Sequence, residues 1–252
     1  MHDRIRSLIA VAVIVCCVAL WWATVHISGS RIFPTPWQVV LGMVQLAQQG
    51  LLLKHVVASL FRVTCGYLLA AMLAMVLGLL MGRFHSVYVA CNSLVQLLRP
   101  ISPIAWIPLA ILWFGVGDMS PIFLIFLASF FPIVIGTVAG VQTIDRQYIW
   151  AAENFGISGF KLLYFVIFPG ALPQIITGMR IGLGVAWLVV VAAEMIAINS
   201  GLGYLIIDSR NAGNRYDLVV AGMVIIGVIG LLLDGLMRGL ERLDEVQWRY
   251  GR

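Results

Sequence analysis

The strongest constraint on this chain is a series of apolar runs, each close to the length that carries a helix across a bilayer. They cover residues 8–27, 59–82, 87–114, 121–141, 175–198 and 218–237. A hydrocarbon core of about 30 Å takes roughly 20 helical residues, so the pattern predicts an all-α integral membrane protein with about six transmembrane helices. Composition agrees: hydrophobic residues fill 62% of 252 positions and charged residues 11%, and the mean hydropathy is +1.01. A soluble globular domain does not carry that balance. The length leaves room for one membrane domain, residues 1–252, and no soluble catalytic domain beside it.

The formal net charge of +5 would suit nucleic acid or anionic lipid if it were clustered, but it is sorted by side. Arg4, Arg6, Arg83, Arg146, Lys161, Arg238, Arg242, Arg249 and Arg252 fall on one expected side, and Arg31, Lys54, Arg210 and Arg215 on the other. This asymmetry places both termini in the cytoplasm and gives no reason to expect nucleic acid as a partner. The run at 8–27 is longer than a signal-peptide core and ends in Trp21, Trp22 and His26 rather than small residues, so an uncleaved first span is expected. Pro34 and Pro36 then force extended backbone. Behind them Val39, Val40, Met43, Val44 and Ala47 recur opposite Gln38, Gln45, Gln48 and Gln49, the pattern of a short amphipathic helix along the interface.

Two features break the apolar pattern. The first lies inside the third run, where Arg99, Pro100, Pro103 and Pro108 crowd a membrane segment. Prolines free backbone carbonyls, a state tolerated at membrane depth only against protein or a water-filled cavity, so this segment is expected to line the interior. Arg99 is either an anchor snorkelling to the interface or a ligand contact. The second feature is the polar stretch from Asp145 to Arg180, whose length exceeds the usual connection of about 4 to 6 residues. Tyr148, Ile149, Ala152 and Phe155 share a helical face, Gly156 and Gly159 bracket a turn, Ser158 can cap a second helix, and Pro169 is expected to end it. Two short helices at a sharp bend make a knob that a partner's groove could accept.

Intramembrane charge adds Arg180, Glu194 and Asp234 as residues facing the bundle interior or water. Arg180 and Glu194 stand roughly 21 Å apart along one helix and cannot pair with each other within one chain. Glu194 is therefore the better candidate for a pathway or gate, with a buried structural partner as the alternative. The four histidines, His2, His26, His55 and His85, are scattered and form no ligand pattern. Cys16, Cys17, Cys65 and Cys91 lie in or beside apolar runs without metal-site spacing. Neither lysine, Lys54 or Lys161, sits in a phosphate-binding loop. Metal sites, catalytic residues and a bound cofactor are not expected, which argues against an integral membrane enzyme.

The polar loop carries a resemblance. Ala151-Ala152, then Gly156, then Val166 to Pro169, resembles the EAA motif of ABC-importer permeases. FPTP at 33–36, SLFRV at 59–63, RPISPIAWIPLAILWFGVGD at 99–118 and GLGVAWLVVVAAEM at 182–195 look like the nitrate, sulfonate, taurine and bicarbonate permease group. Trp150 stands where the motif carries Glu, and Glu153 presents a carboxylate three residues on.

The resemblance implies a type I (MetI-like) permease fold, with a core at about 56–240 and a cytoplasmic coupling loop at about 145–173. Trp150, Ala151, Ala152, Glu153, Gly156 and Pro169 would meet an ATPase, and Arg99, Pro103 and Glu194 would serve the pathway or gate. It implies residence in the bacterial inner membrane, a second permease copy, cytoplasmic ABC ATPase subunits that use ATP and magnesium, and a periplasmic or lipid-anchored solute-binding protein. Cargo would be a small anion of sulfonate, taurine, nitrate or bicarbonate type. An uncharged or aromatic nutrient, and a self-sufficient secondary transporter, are the alternatives.

Overall fold

The computed structural model describes residues 2–28 and 33–241. Among them every regular element is helical. Helix α1 (His2–Ser28) precedes α2 (Pro36–Gln48), α3 (Leu51–Arg83) and α4 (His85–Leu98); a 3-10 turn at Pro103–Trp106 leads into α5 (Ile107–Phe114). Then come α6 (Met119–Gln142), α7 (Arg146–Asn154), α8 (Gly159–Leu162), α9 (Phe168–Ala197), α10 (Leu202–Asn211) and α11 (Tyr216–Glu241). Five helical stretches are long and apolar enough to cross a membrane, and the bent pair around residues 99–102 makes up to six. Arg31 and the tail from 242 on, with Arg242, Arg249 and Arg252, lie outside the described residues.

The core is a three-helix sandwich of α3, α6 and α9, held by glycine at the contacts. In lipid no hydrophobic force drives helices together, so close backbone approach has to supply the packing energy. A side chain begun at Gly78 would stand 2.5 Å from Thr137 Cβ, and one at Gly136 would stand 2.8 Å from Gly178 Cα and 2.9 Å from Gln174 O. Between α3 and α9 the Tyr67 hydroxyl donates to Met179 O at 3.0 Å, and outside the sandwich Trp187 Nε1 of α9 donates to Ile226 O of α11 at 3.1 Å. Because backbone faces Gly136, the contact cannot relax by rotating a side chain. Gly136→Leu is therefore expected to cost about 1–3 kcal/mol and lower the unfolding temperature in detergent. Gly227→Leu, with open space at its Cβ, serves as the control; equal melting of the two variants would contradict the close-packed seam.

Several sequence expectations change here. The third run is broken rather than merely kinked: α4 and α5 meet at 85°, because Pro100 and Pro103 remove backbone donors where the chain turns. The α2 helix buries Val39, Gly42 and Leu46, while Val40 and Val44 are exposed. Its inward face is thus rotated from the expected one, because Gly42 lets the helix lie on α11, where its Cβ position is 3.2 Å from Asp217 O.

Helix α3 starts at Leu51, eight residues before the apolar run, and takes in Lys54 and His55. Between α9 and α11, where the sequence is rich in Gly and Asn, the chain forms α10, whose Leu202, Leu205 and Ile206 are buried. Pro169 does not stop a helix. It falls in the first turn of α9, where no N–H is required, after a π-helical segment at Leu163–Ile167 that shifts the hydrogen-bond register.

Candidate functional site

Three features occupy different heights of the bundle. At one end, α7 and α8 form the knob. Asp145 caps α7, accepting from Gln147 N at 3.0 Å. The other end of α7 is closed by a Schellman motif: Gly156 N donates to Glu153 O at 2.9 Å and Ile157 N to Ala152 O at 3.0 Å. This geometry requires a left-handed residue, and Gly156 supplies it with φ +78°. Gly159, at φ +60°, turns the chain again into α8. Ser158 holds the cap position of α8, but its hydroxyl makes no capping bond.

The knob has two faces. Ala152 is buried in a cluster with Leu162, Ile167 and Ala171, with Ile149 and Ile157 packed against it. A small residue at 152 therefore lets α7 lie against the root of α9. Tyr148 and Phe155, expected on the same face as Ile149 and Ala152, point away instead. Phe155 is 86% exposed, Phe160 78%, and Tyr148 and Trp150 58% each. Ala151 and Glu153 are exposed with them. Four exposed aromatics on one short loop form an apolar patch of the kind that marks a partner surface.

At the opposite end of α9, ~39 Å from Phe168 by helical rise, lies a buried ion network. Glu194 is fully buried and Arg62 is 2% exposed. Their side chains meet at 2.7 Å. Glu194 also accepts from Ser59 Oγ at 2.8 Å and from Gly203 N at 3.0 Å. Arg62 reaches Asp118 at 2.7 Å and Ser200 O at 3.0 Å, and also bonds the Ser200 hydroxyl. Ser59 Oγ accepts from Leu202 N at 2.9 Å, and His55 Nδ1 accepts from Gly201 N at 3.1 Å. One guanidinium thus joins α3, the loop before α6, the end of α9 and the turn into α10. Gly201 is required twice: its φ is +103°, and a Cβ there would lie 2.1 Å from the Glu194 carboxyl carbon.

Between the two ends a cavity of about 420 Å³ opens among the broken 99–103 segment, α6 and α9. Arg99 and Pro103 line it, as do Phe131, Gln174, Thr177 and Ile181. Its lining on α9 runs from Gln174 to Val185, so it stops ~13 Å short of Glu194. The structure thus joins Arg99 with Pro103 and separates both from Glu194. Arg180, in turn, pairs with Asp234 at 2.7 Å and with Glu241 at 3.1 Å.

The sequence reading missed Arg62, Asp118, Ser59, Ser200 and His55. An arginine within the run at 59–82 was itself the available signal, since an intramembrane charge demands a partner. Its partners are 56 and 132 residues away, beyond the reach of helical periodicity.

A helical membrane bundle with an exposed aromatic knob at one end and a buried ion network at the other has the form of an importer's transmembrane subunit. Its fold matches the inward-facing MetNI methionine ABC transporter structure with a TM-score of 0.60 at 16% identity, over 72% of this chain and 92% of that chain. Residues 66–243 match the binding-protein-dependent transport system inner membrane component family, and this chain belongs to that family.

It is 46% identical to a putative ABC transporter permease of Methanocaldococcus jannaschii, over 83% of this chain and 75% of the relative. It is 37% identical to the taurine transport system permease TauC of Escherichia coli, over 93% and 87%. With the nitrate import permease NrtB of Synechocystis it shares 34% identity, over 95% and 88%.

Proposed function

We propose that this ABC permease works as one of two identical membrane subunits, with ATP hydrolysed by separate cytoplasmic subunits and cargo delivered by a solute-binding protein on the outer face. The observation that carries this reading is the α7–α8 knob, whose aromatic face is exposed while its inner face packs against the base of α9. The ATPase takes the knob in a groove, and the contact is largely apolar, since Trp150 stands where an acid is usual and Glu153 is the only carboxylate of α7 itself. Pro169 starts α9 and so ties the knob directly to a membrane-crossing helix.

The knob end is cytoplasmic, in keeping with Arg83, Arg146 and Lys161 at that end and Lys54, Arg210 and Arg215 at the other; both termini lie in the cytoplasm. The Glu194 network then closes the outer side, and the cavity holding Arg99 and Pro103 belongs to the path below it. Closure of the ATPases on ATP moves the knobs together, parts the network and admits cargo; hydrolysis restores the closed form. The cargo is a small anion of the taurine, sulfonate or nitrate type, by likeness to the relatives so named.

Proteoliposomes holding the permease with its ATPase and binding protein are expected to accumulate labelled taurine, ethanesulfonate or nitrate only when ATP is enclosed on the knob side. Equal uptake by the permease alone, without ATP, would make it a secondary transporter. Uptake confined to an uncharged nutrient would overturn the anion assignment.

A further inference from the structure

The two arginines that lie well within continuous crossing helices are both neutralised: Arg62 by Glu194 and Asp118, and Arg180 by Asp234 and Glu241. Arg99 is different. It lies at the 85° break between α4 and α5, lines the cavity, and has no ion-pair partner among the described residues. No acidic residue lines that cavity. Gln174, on the facing helix α9, lines the same space with its amide unengaged by any described side chain or backbone group. Thr177 is close by, but its hydroxyl proton is committed to Pro173 O at 2.9 Å. The donors left facing the cavity are therefore the guanidinium of Arg99 and the amide of Gln174. The remaining wall is apolar, through Ile101, Phe131, Ile135 and Ile181.

We propose that this cavity is an intramembrane binding site for a short-chain organic sulfonate, with Arg99 and Gln174 holding the oxyanion head and the Phe131–Ile181 wall holding the carbon tail. An arginine fork matches an oxyanion bidentately, and the mostly apolar wall suits a short carbon tail. A cavity of about 420 Å³ lies within the range of small-molecule sites. The inference rests on the importer reading above and adds a cargo contact within the membrane to whatever the binding protein selects. Anionic lipid headgroups offer the same oxyanion chemistry, and the test separates the two.

The importer complex, with Cys16, Cys17, Cys65 and Cys91 replaced by alanine, receives an Ile181→Cys thiol and is placed in phosphatidylcholine nanodiscs. The rate of modification by the anionic reagent sulfonatoethyl methanethiosulfonate, relative to its cationic trimethylammonium analogue, is expected to fall about tenfold on adding Arg99→Gln, the size of a local charge-focusing effect. Millimolar ethanesulfonate is expected to slow labelling by a neutral reagent while Arg99 is present and not in Arg99→Gln; Gln174→Leu is expected to weaken that protection. Adding phosphatidylglycerol is expected to change neither result.

A rate ratio indifferent to Arg99→Gln, or protection by phosphatidylglycerol but not by ethanesulfonate, would overturn the site. ATP-driven uptake that persists under those results leaves the importer reading standing, whereas ATP-independent uptake removes that reading whatever the labelling shows.

Discussion

Glu194→Ala is expected to be the most damaging single change in the membrane core. Arg62 is 2% exposed, and without Glu194 it keeps only Asp118, itself 55% exposed, and Ser200. Removing one member of a buried ion pair strands the other, at a cost of about 3–5 kcal/mol. The Ser59 hydroxyl and Gly203 N–H lose their acceptor in the same step, each adding a desolvation penalty. The variant should unfold at a markedly lower temperature in detergent and lose uptake. Glu194→Gln keeps a carbonyl oxygen for Arg62 or Gly203 but not the charge, and should fall between. In a double-mutant cycle, Glu194→Ala with Arg62→Met should cost less than the sum of the single changes, because no charge is left stranded. A Glu194→Ala protein as heat-stable as the parent would show that the network is incidental.

Gly156→Val should uncouple transport without removing the protein from the membrane. Its Cβ would meet nothing within 4 Å, so the obstacle is the backbone: a branched residue at φ +78° costs roughly 1–2 kcal/mol relative to glycine. That strain falls on the Schellman motif that aims the aromatic face of α7. ATPase stimulation by cargo-loaded binding protein should drop about tenfold, the equivalent of ~1.4 kcal/mol. Gly156→Asn should stay near the parent, since asparagine tolerates the left-handed region. If valine and asparagine behave alike, side-chain bulk rather than backbone conformation governs the bend.

The crossing segments and the knob were legible from residue patterns because both are local. Twenty apolar residues announce a span, and Gly156 with Gly159 announces a bend. The face of α2 was misread because Gly42, a packing surface by virtue of lacking a side chain, scores as neutral in an apolar count. The reading of Pro169 as a stop came from treating proline as a breaker everywhere, whereas the first turn of a helix has no bond for it to break. The Arg62 network was beyond such reasoning, since it is assembled from four separate segments. Glu194 stood out as a buried charge, but its complement could be assigned only once α3 and α9 were side by side.

The sharing of a single guanidinium among several chain segments also bears on leakage. If Glu194, Asp118 and Ser200 each had a partner of its own, the outer seal could loosen by degrees, and a partly parted seal would pass ions. With Glu194 and Ser200 both converging on the buried Arg62, loss of that guanidinium undoes both contacts at once. On the outer-gate role proposed above, the fraction of time the gate stands open falls tenfold for each ~1.4 kcal/mol of bonding concentrated there. On that proposed role, concentrating the bonding at one buried guanidinium would keep an idle importer from leaking ions.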